Sequence, residues 1–93
     1  MLVNFYNHND KVNHEFNPIF RALETPLKEL NISLVKVNGT AYPDTLNEYS
    51  VTHTPFITLF INETGYIYNK QDNESRTIDK LNNWVKETLR PSY

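Results

Sequence analysis

The sequence contains no cysteine among its 93 residues. Without thiols these residues form no disulfide, offer no thiolate to a metal and perform no thiol chemistry. An excess of basic charge is lacking too, since nine Lys and Arg stand against 11 Asp and Glu, for a net charge of −2. The basic residues are scattered along the chain, so the sequence shows no nucleic-acid footprint and no basic face for a membrane surface.

Long hydrophobic runs are also missing. No apolar stretch approaches the ~18 residues of a membrane span, and no basic start followed by an apolar segment marks a secretory signal. The sequence therefore predicts no membrane partner and, by default, a cytoplasmic location. With 93 residues, of which 39% are hydrophobic, it predicts one globular domain over residues 1–93.

Hydrophobic periodicity predicts the element order in the first half of the chain. A β-prone run opens it at residues 2–6. Apolar residues at helical spacing follow over residues 16–30, where Pro18 and Pro26 interrupt the pattern. A proline inside a helix removes a hydrogen bond and clashes with the preceding turn, so we expect a bent or two-piece helix. Thr25 before Pro26 is predicted to cap the second piece.

The second half completes the order β-α-β-α-β-β-α. Residues 32–37 form a strand that ends at the turn Asn38-Gly39, and residues 43–49 form a short helix. A hairpin follows, with strands at 56–61 and 66–68 and a turn over residues 62–65. The last helix covers residues 77–89, capped by Ser75 or Thr77. The predicted fold is α/β, a four-stranded mixed sheet flanked by helices.

Five segments in this order resemble the thioredoxin fold, and protein disulfide isomerase domains in particular. Residues 2–6, Leu-Val-Asn-Phe-Tyr, resemble the family's central strand, and residues 17–20, Asn-Pro-Ile-Phe, resemble its kinked helix. Residues 37–40, residues 49–56 and the segment from Tyr68 to Trp84 supply the other three. Residues 49–56 resemble the segment that carries the family's cis-proline, here Pro55. The resemblance implies the minimal thioredoxin-like fold, without the strand and helix that open a full-length thioredoxin.

The same resemblance sets the family's Cys-Gly-His-Cys motif on Asp10, Lys11, Val12 and Asn13. Asp10 is expected to cap the following helix by accepting from the amide of Val12 or Asn13. Asn4 stands where the family has a buried carboxylate, and an amide cannot titrate. The resemblance therefore implies a domain lacking the redox cysteines, with no catalytic residue for thiol–disulfide exchange and no cofactor.

In the family, the cis-proline loop faces the helix start and binds extended peptides. The resemblance implies a peptide-binding site at His53, Thr54, Pro55 and Asp10, with the backbone of Thr54 pairing with the partner. His53 replaces a glycine, which narrows the groove and adds an imidazole, a group that titrates near neutral pH. The leading hypothesis is a redox-inactive binding or scaffolding module for a protein or peptide partner. Whether the groove is in use or persists as a fold feature stays open.

Two other hypotheses come from different classes. His8, Asp10, His14 and His53 suit a divalent metal, as in a repurposed enzyme. His8 and His14 flank a helix start and are expected to diverge, so the sequence predicts no metal. The second alternative is a structural subunit. The 13 asparagines suggest an AT-rich genome. An example of such a subunit is a particle component of a large DNA virus with a genome of this kind, and its location would be the virion. The sequence does not indicate whether the chain is a monomer or an oligomer.

Overall fold

The computed structural model describes residues 1–68 and 74–89. Within these residues four strands form one sheet in the order β2-β1-β3-β4. The strands are β1 (Leu2–Tyr6), β2 (Leu34–Asn38), β3 (Phe56–Ile61) and β4 (Thr64–Ile67). Strand β1 runs parallel to β2 and antiparallel to β3, and β3 pairs antiparallel with β4. The described residues thus form the mixed four-stranded sheet that the sequence predicts.

The described residues contain four helices, which lie on the two faces of this sheet: α1 (Lys11–Ala22), α2 (Glu24–Lys28), α3 (Pro43–Glu48) and α4 (Ile78–Leu89). Leu2 packs in one apolar cluster with residues of α1 and α4. Val3 and Phe5 pack in a second cluster with Phe56 and with Leu46 of α3. Because successive side chains of a strand point to opposite faces, α1 and α4 cover one face and α3 covers the other.

The two-piece helix is present, but its predicted cap at Thr25 is wrong. The residue before α2 is Leu23, which keeps helical dihedrals (φ −73°, ψ −14°) and forms no side-chain cap hydrogen bond. Leu23 is fully buried in the core. Its anchoring lets α2 follow α1 almost directly, so the second piece begins at Glu24, before a cap at Thr25 could act.

Strand β2 begins at Leu34, two residues later than predicted, because Ile32 closes helix α2. The Ile32 amide donates to the carbonyl of Leu27 at 2.9 Å. Asn31 between them has a φ of 60°. A left-handed residue followed by this backward hydrogen bond is a common helix C-terminal motif, and asparagine tolerates it.

The hairpin turn is shorter than predicted. Asn62 and Glu63 have positive φ angles of 49° and 72°, and β4 begins directly after them at Thr64. A two-residue turn with both angles positive matches the twist of the paired strands. Gly65 therefore lies within the strand, opposite Phe60.

The last helix has one of its two predicted caps. The Thr77 hydroxyl oxygen accepts a hydrogen bond from the Lys80 amide at 3.3 Å. The Thr77 carbonyl accepts from the amide of Leu81 at 3.0 Å. Thr77 therefore caps α4, which begins at Ile78. Over residues 1–68 and 74–89, no helix has the length and apolar character needed to cross a membrane.

Candidate functional site

The site is built on the start of α1, at the end of the central strand β1. Asp10 has extended dihedrals (φ −95°, ψ 127°), and its carboxylate accepts from the amide of Val12 at 3.1 Å. The predicted cap is therefore present, with Val12 as its donor. Lys11 follows as the first residue of the helix and is exposed. Asp10 thus caps the helix at the position where the sequence resemblance sets the family's first cysteine.

Asn13 joins three separate segments. Its side chain is 1% exposed. The side-chain Nδ2 donates to Oγ1 of Thr54 at 3.3 Å, and Oδ1 accepts from the amide of Asn7 at 3.2 Å. An amide that donates and accepts at once can tie helix α1 to both neighbouring loops. Asn13 therefore fixes Thr54 relative to the helix start.

A second amide side chain, that of Asn7, holds the loop after β1 to the loop after β2. Its Oδ1 accepts from the amide of Asn9 at 3.0 Å and from the hydroxyl of Thr40 at 2.9 Å. The Asn7 carbonyl accepts from the amide of Asp10 at 3.2 Å. The sequence does not predict Asn7 and Thr40 as site residues, because their contact spans 33 positions and leaves no local pattern.

The loop of residues 52–55 runs opposite the helix start. Its Thr54–Pro55 peptide bond is cis, and Pro55 is buried. Over the described residues, the amides and carbonyls of Thr52, His53 and Thr54 form no backbone hydrogen bond. These backbone groups are therefore not paired with the backbone of any other described residue.

The His53 ring is fixed by two contacts. Its centroid lies 5.1 Å from that of Phe56, in an edge-to-face arrangement. Its Nδ1 lies 3.2 Å from the hydroxyl oxygen of Thr52. His53 remains half-buried.

A concave pocket of about 470 Å³ opens beside this loop. His53 and Thr54 form one wall, and Asn7 and Thr40 form part of another. Asp10 and Pro55, the other two predicted peptide-binding residues, do not line it. Asp10 is connected to it indirectly, because Asn13 in the same helix turn holds Thr54.

Asn4 lies fully buried in the middle of the sheet, at 0% exposure. It pairs with Lys36 on β2 and Ile57 on β3. Neither its side-chain oxygen nor its side-chain nitrogen has a hydrogen-bond partner among residues 1–68 and 74–89. The position is therefore polar but holds no carboxylate to move a proton.

The four candidate metal ligands do not converge. His8 and His14 lie in contact, with ring centroids 5.5 Å apart, so the expectation that they diverge is wrong. The loop turns back through the hydrogen bond from Asp10 to Asn7, which brings His8 over the first turn of α1. The Asp10 carboxylate serves as the cap, and His53 packs on Phe56. In the part of the chain that the structure describes, no three His, Asp or Glu side chains are grouped to hold a metal ion.

The family of this chain is shown by its match to a family model. Residues 1–87 match the family model for thioredoxin. The chain belongs to the thioredoxin family. This confirms the resemblance drawn from its five sequence segments. The sequence matches none of the curated proteins with which it was compared.

Solved structures agree with this thioredoxin fold. Human ERp44 is 22% identical over 97% of this chain and 27% of its own, with a TM-score of 0.83. The first thioredoxin domain of mouse protein disulfide-isomerase A4 is 20% identical over 99% of this chain and 64% of its own, with a TM-score of 0.79. A malarial protein is 18% identical over 96% of both chains, with a TM-score of 0.80. At these identities the likeness shows the fold, and the chain spans about a quarter of ERp44.

The chain is thus a thioredoxin-family α/β fold with no cysteine among its 93 residues. The residues at the start of α1 supply a carboxylate cap and a buried amide. These side chains contain no sulfur to exchange with a disulfide.

Proposed function

We propose that this thioredoxin-family domain binds an extended segment of a partner protein at residues 52–55 and performs no thiol–disulfide exchange. The observation that carries the proposal is the unpaired backbone of residues 52–54 at the edge of the pocket. Extended peptides bind such backbone groups by strand addition, and side-chain pockets beside the strand select the sequence.

The fixed position of Thr54 supports this function. Binding a peptide to a mobile loop costs conformational entropy, whereas a loop already held in place loses less. The Asn13 side chain holds the Thr54 hydroxyl at 3.3 Å, which leaves the Thr54 backbone free to pair. Asn13 thereby replaces a reactive group with a positioning one.

The wall residue His53 supports selectivity. Its ring is packed on Phe56 and cannot leave the pocket wall without losing that aromatic contact. A partner side chain entering the pocket meets this ring on one side and the Asn7 and Thr40 loops on the other. We therefore expect His53 to contact the bound segment.

The test is a library of cysteine-free extended peptides titrated into the ¹⁵N-labelled chain and followed by NMR. We expect the largest amide shifts at residues 52–54 and 56, since Pro55 has no amide proton, with smaller shifts at Asn7 and Thr40. His53→Ala is expected to weaken the best peptide about tenfold, a change of about 1.4 kcal/mol. His14→Ala is the matched control, because His14 is exposed and lies outside this pocket.

Two outcomes contradict the proposal. One is a library in which no peptide shifts residues 52–56 at millimolar concentration. The other is equal weakening by His53→Ala and His14→Ala, since that would separate binding from the pocket. The interpretations as a virus-particle subunit and as a repurposed enzyme stay predictions, because no contact in the described residues favours them.

A further inference from the structure

The open edge of strand β2 is a second candidate for strand pairing, separate from residues 52–55. Strand β2 lies at one end of the sheet order, so within residues 1–68 and 74–89 only one of its two sides is paired. The Leu2 amide donates to the Ser33 carbonyl at 2.8 Å, and the Gly39 amide donates to the Tyr6 carbonyl at 2.7 Å. These two bonds set which β2 residues face β1.

Along a parallel strand, the amide and carbonyl of one residue point to the neighbouring strand on one side, and those of the next residue point to the opposite side. Odd-numbered residues from Ser33 to Gly39 face β1, so the amides and carbonyls of Leu34 and Lys36 face outward. Over residues 1–68 and 74–89, these outward groups form no backbone hydrogen bond. An exposed strand edge of this kind accepts another strand unless a protein covers it.

A groove of about 560 Å³ runs along this edge, between β2 and the helices α1 and α2. Its apolar part is formed by Phe20 on α1 together with Ile32 and Leu34. Phe20 is buried in the core, while Ile32 and Leu34 are only partly buried. A side chain from an added strand could therefore pack on an existing apolar surface.

The rim of the groove is basic. Arg21, Lys28 and Lys36 line it, with Glu24 as the one carboxylate among its lining residues. None of the three basic groups forms an ion pair within the described residues. The Nζ atom of Lys36 lies 5.0 Å from the centroid of the Tyr6 ring. The groove is thus positive on a chain whose net charge is −2.

We propose that the β2 edge binds an extended acidic segment of a partner protein by strand addition. Strand β2 has five residues, and the added strand pairs over about the same length. Alternate side chains of that strand face the groove. The matching pattern is an apolar residue at the centre, on Phe20 and Leu34, with an acidic residue two positions away on each side, toward the basic rim.

The probe is the end-blocked peptide Glu-Thr-Val-Thr-Glu, titrated into the ¹⁵N-labelled chain and followed by NMR and amide hydrogen exchange. We expect shifts and slower exchange at the amides of Leu34 and Lys36. Lys36→Glu and Arg21→Glu should each weaken binding about tenfold. Added salt should also weaken it, because it screens exposed charges. Lys80→Glu, the same charge change on α4 outside the groove, should leave affinity unchanged.

Two further peptides separate strand addition from charge attraction. One is N-methylated at the alternate amides that face β2, and the other at the amides that face away. The first should fail to bind and the second should bind like the parent, because only the first loses the inter-strand hydrogen bonds. Equal binding of both would overturn the proposal.

Other results would contradict it directly. A peptide with Lys in place of both Glu residues should not bind, and equal affinity for it would remove the role of the basic rim. Shifts confined to residues 52–56 would assign the peptide to the other site. Self-association of the chain that shields Leu34 and Lys36 would assign the edge to a second copy.

Discussion

The side chains of Asn13 and Thr54 form a hydrogen bond across 41 positions of sequence, from Nδ2 to Oγ1 at 3.3 Å. By the sequence resemblance, Asn13 stands at the position of the second cysteine of the thioredoxin motif, and Thr54 precedes the cis-proline. The bond therefore ties the start of α1 to the loop of residues 52–55 without a thiol. Since Asn13 is almost completely buried, its replacement should lower the free energy of unfolding of the whole chain.

We predict that Asn13→Ala and Thr54→Val both lower the free energy of unfolding, by about 1–3 kcal/mol for Asn13→Ala and about 1 kcal/mol for Thr54→Val. Asn13→Ala removes both hydrogen bonds of the Asn13 side-chain amide. Thr54→Val leaves that amide in place but removes the acceptor of its Nδ2. Urea unfolding of the two single variants and the double variant measures their coupling. A coupling energy of about 0.5–1.5 kcal/mol is expected.

The control for that cycle is Thr45→Val, the same exchange on α3. The Thr45 hydroxyl forms no hydrogen bond within the described residues, so this exchange should not couple to Asn13→Ala. A zero coupling between Asn13 and Thr54 would contradict the link.

The buried amide of Asn4 leads to the opposite expectation. A buried polar group without a partner costs about 1–3 kcal/mol, and Asn4 has two such atoms. Asn4→Val removes both and introduces a residue suited to a strand. We predict a rise of about 1–2 kcal/mol in the free energy of unfolding, measured in urea.

Asn38→Val is the control, because the Asn38 side chain accepts from the amide of Thr40 at 3.0 Å. It lies on the same sheet face as Asn4 and should bring no gain in stability. If Asn4→Val lowers stability instead, the Asn4 amide has a hydrogen-bonding partner such as an internal water.

A carboxyl group at the same buried position should make stability depend on pH. Burial disfavours the charged form, so the pKa of an aspartic acid introduced by Asn4→Asp should rise above its unfolded value of about 3.9. The folded state then binds the proton more tightly than the unfolded state. Relative to the natural chain, stability should be highest below about pH 4 and fall as the pH rises, by up to about 1.4 kcal/mol per unit.

Urea unfolding between pH 4 and 7 measures this dependence. Asn83→Asp is the control, because Asn83 is exposed on α4 and should give a flat difference over the same range. A flat difference for Asn4→Asp would show that water reaches the centre of the sheet.

The element order could be predicted from the sequence because each element carries a local signal. Alternating or continuous apolar residues mark β1 and β3, and Pro26 marks the break between α1 and α2. The Thr25 cap could not be excluded from the sequence, because the burial of Leu23 in the core decides where α2 begins. Propensity and capping are weaker than such packing.

The site was predictable only where the resemblance supplied a register. It led to Asp10, Asn13 and the His53–Pro55 loop, and the structure gives the Asp10 cap and the Asn13–Thr54 bond. The Asn7 contacts and the approach of His8 to His14 depend on how a loop turns back, which no residue spacing records. The β2 edge is likewise visible only once the strand order is known.

The hairpin turn offers a simple stabilising change. Glu63 has a φ of 72°, in the left-handed region that favours glycine. We predict that Glu63→Gly raises the free energy of unfolding by about 0.5–1 kcal/mol, because glycine adopts this backbone at no steric cost. Thermal unfolding measures the gain. Glu29→Gly is the control, since Glu29 has a φ of −63° and glycine there should bring no gain. A loss of stability on Glu63→Gly would mean that the turn differs from the one described.

The last prediction restores the missing chemistry. Asp10 is the N-cap of α1 and Asn13 is the third residue of the helix. In helix capping boxes the side chain at each of these two positions reaches the backbone amide of the other, so both side chains lie at the same helix start. Thiols introduced there by Asp10→Cys with Asn13→Cys should form a disulfide in air. The helix N-terminus should lower the pKa of the thiol at position 10 and favour its thiolate. We expect this double variant to accelerate the reduction of insulin by dithiothreitol slightly, and the natural chain to give no rate above that of a control without protein.

Two comparisons sharpen the measurement. Asp10→Cys alone should form no internal disulfide, which thiol titration of the folded and denatured chain will show. Adding Asn4→Asp to the double variant should speed insulin reduction near neutral pH, since a carboxylate near the thiols can accept their protons whereas the amide cannot. An equal rate with and without Asn4→Asp would mean that Asn4 does not occupy the position of the family's buried acid. Turnover by the natural chain would mean that another group in it reacts with disulfides.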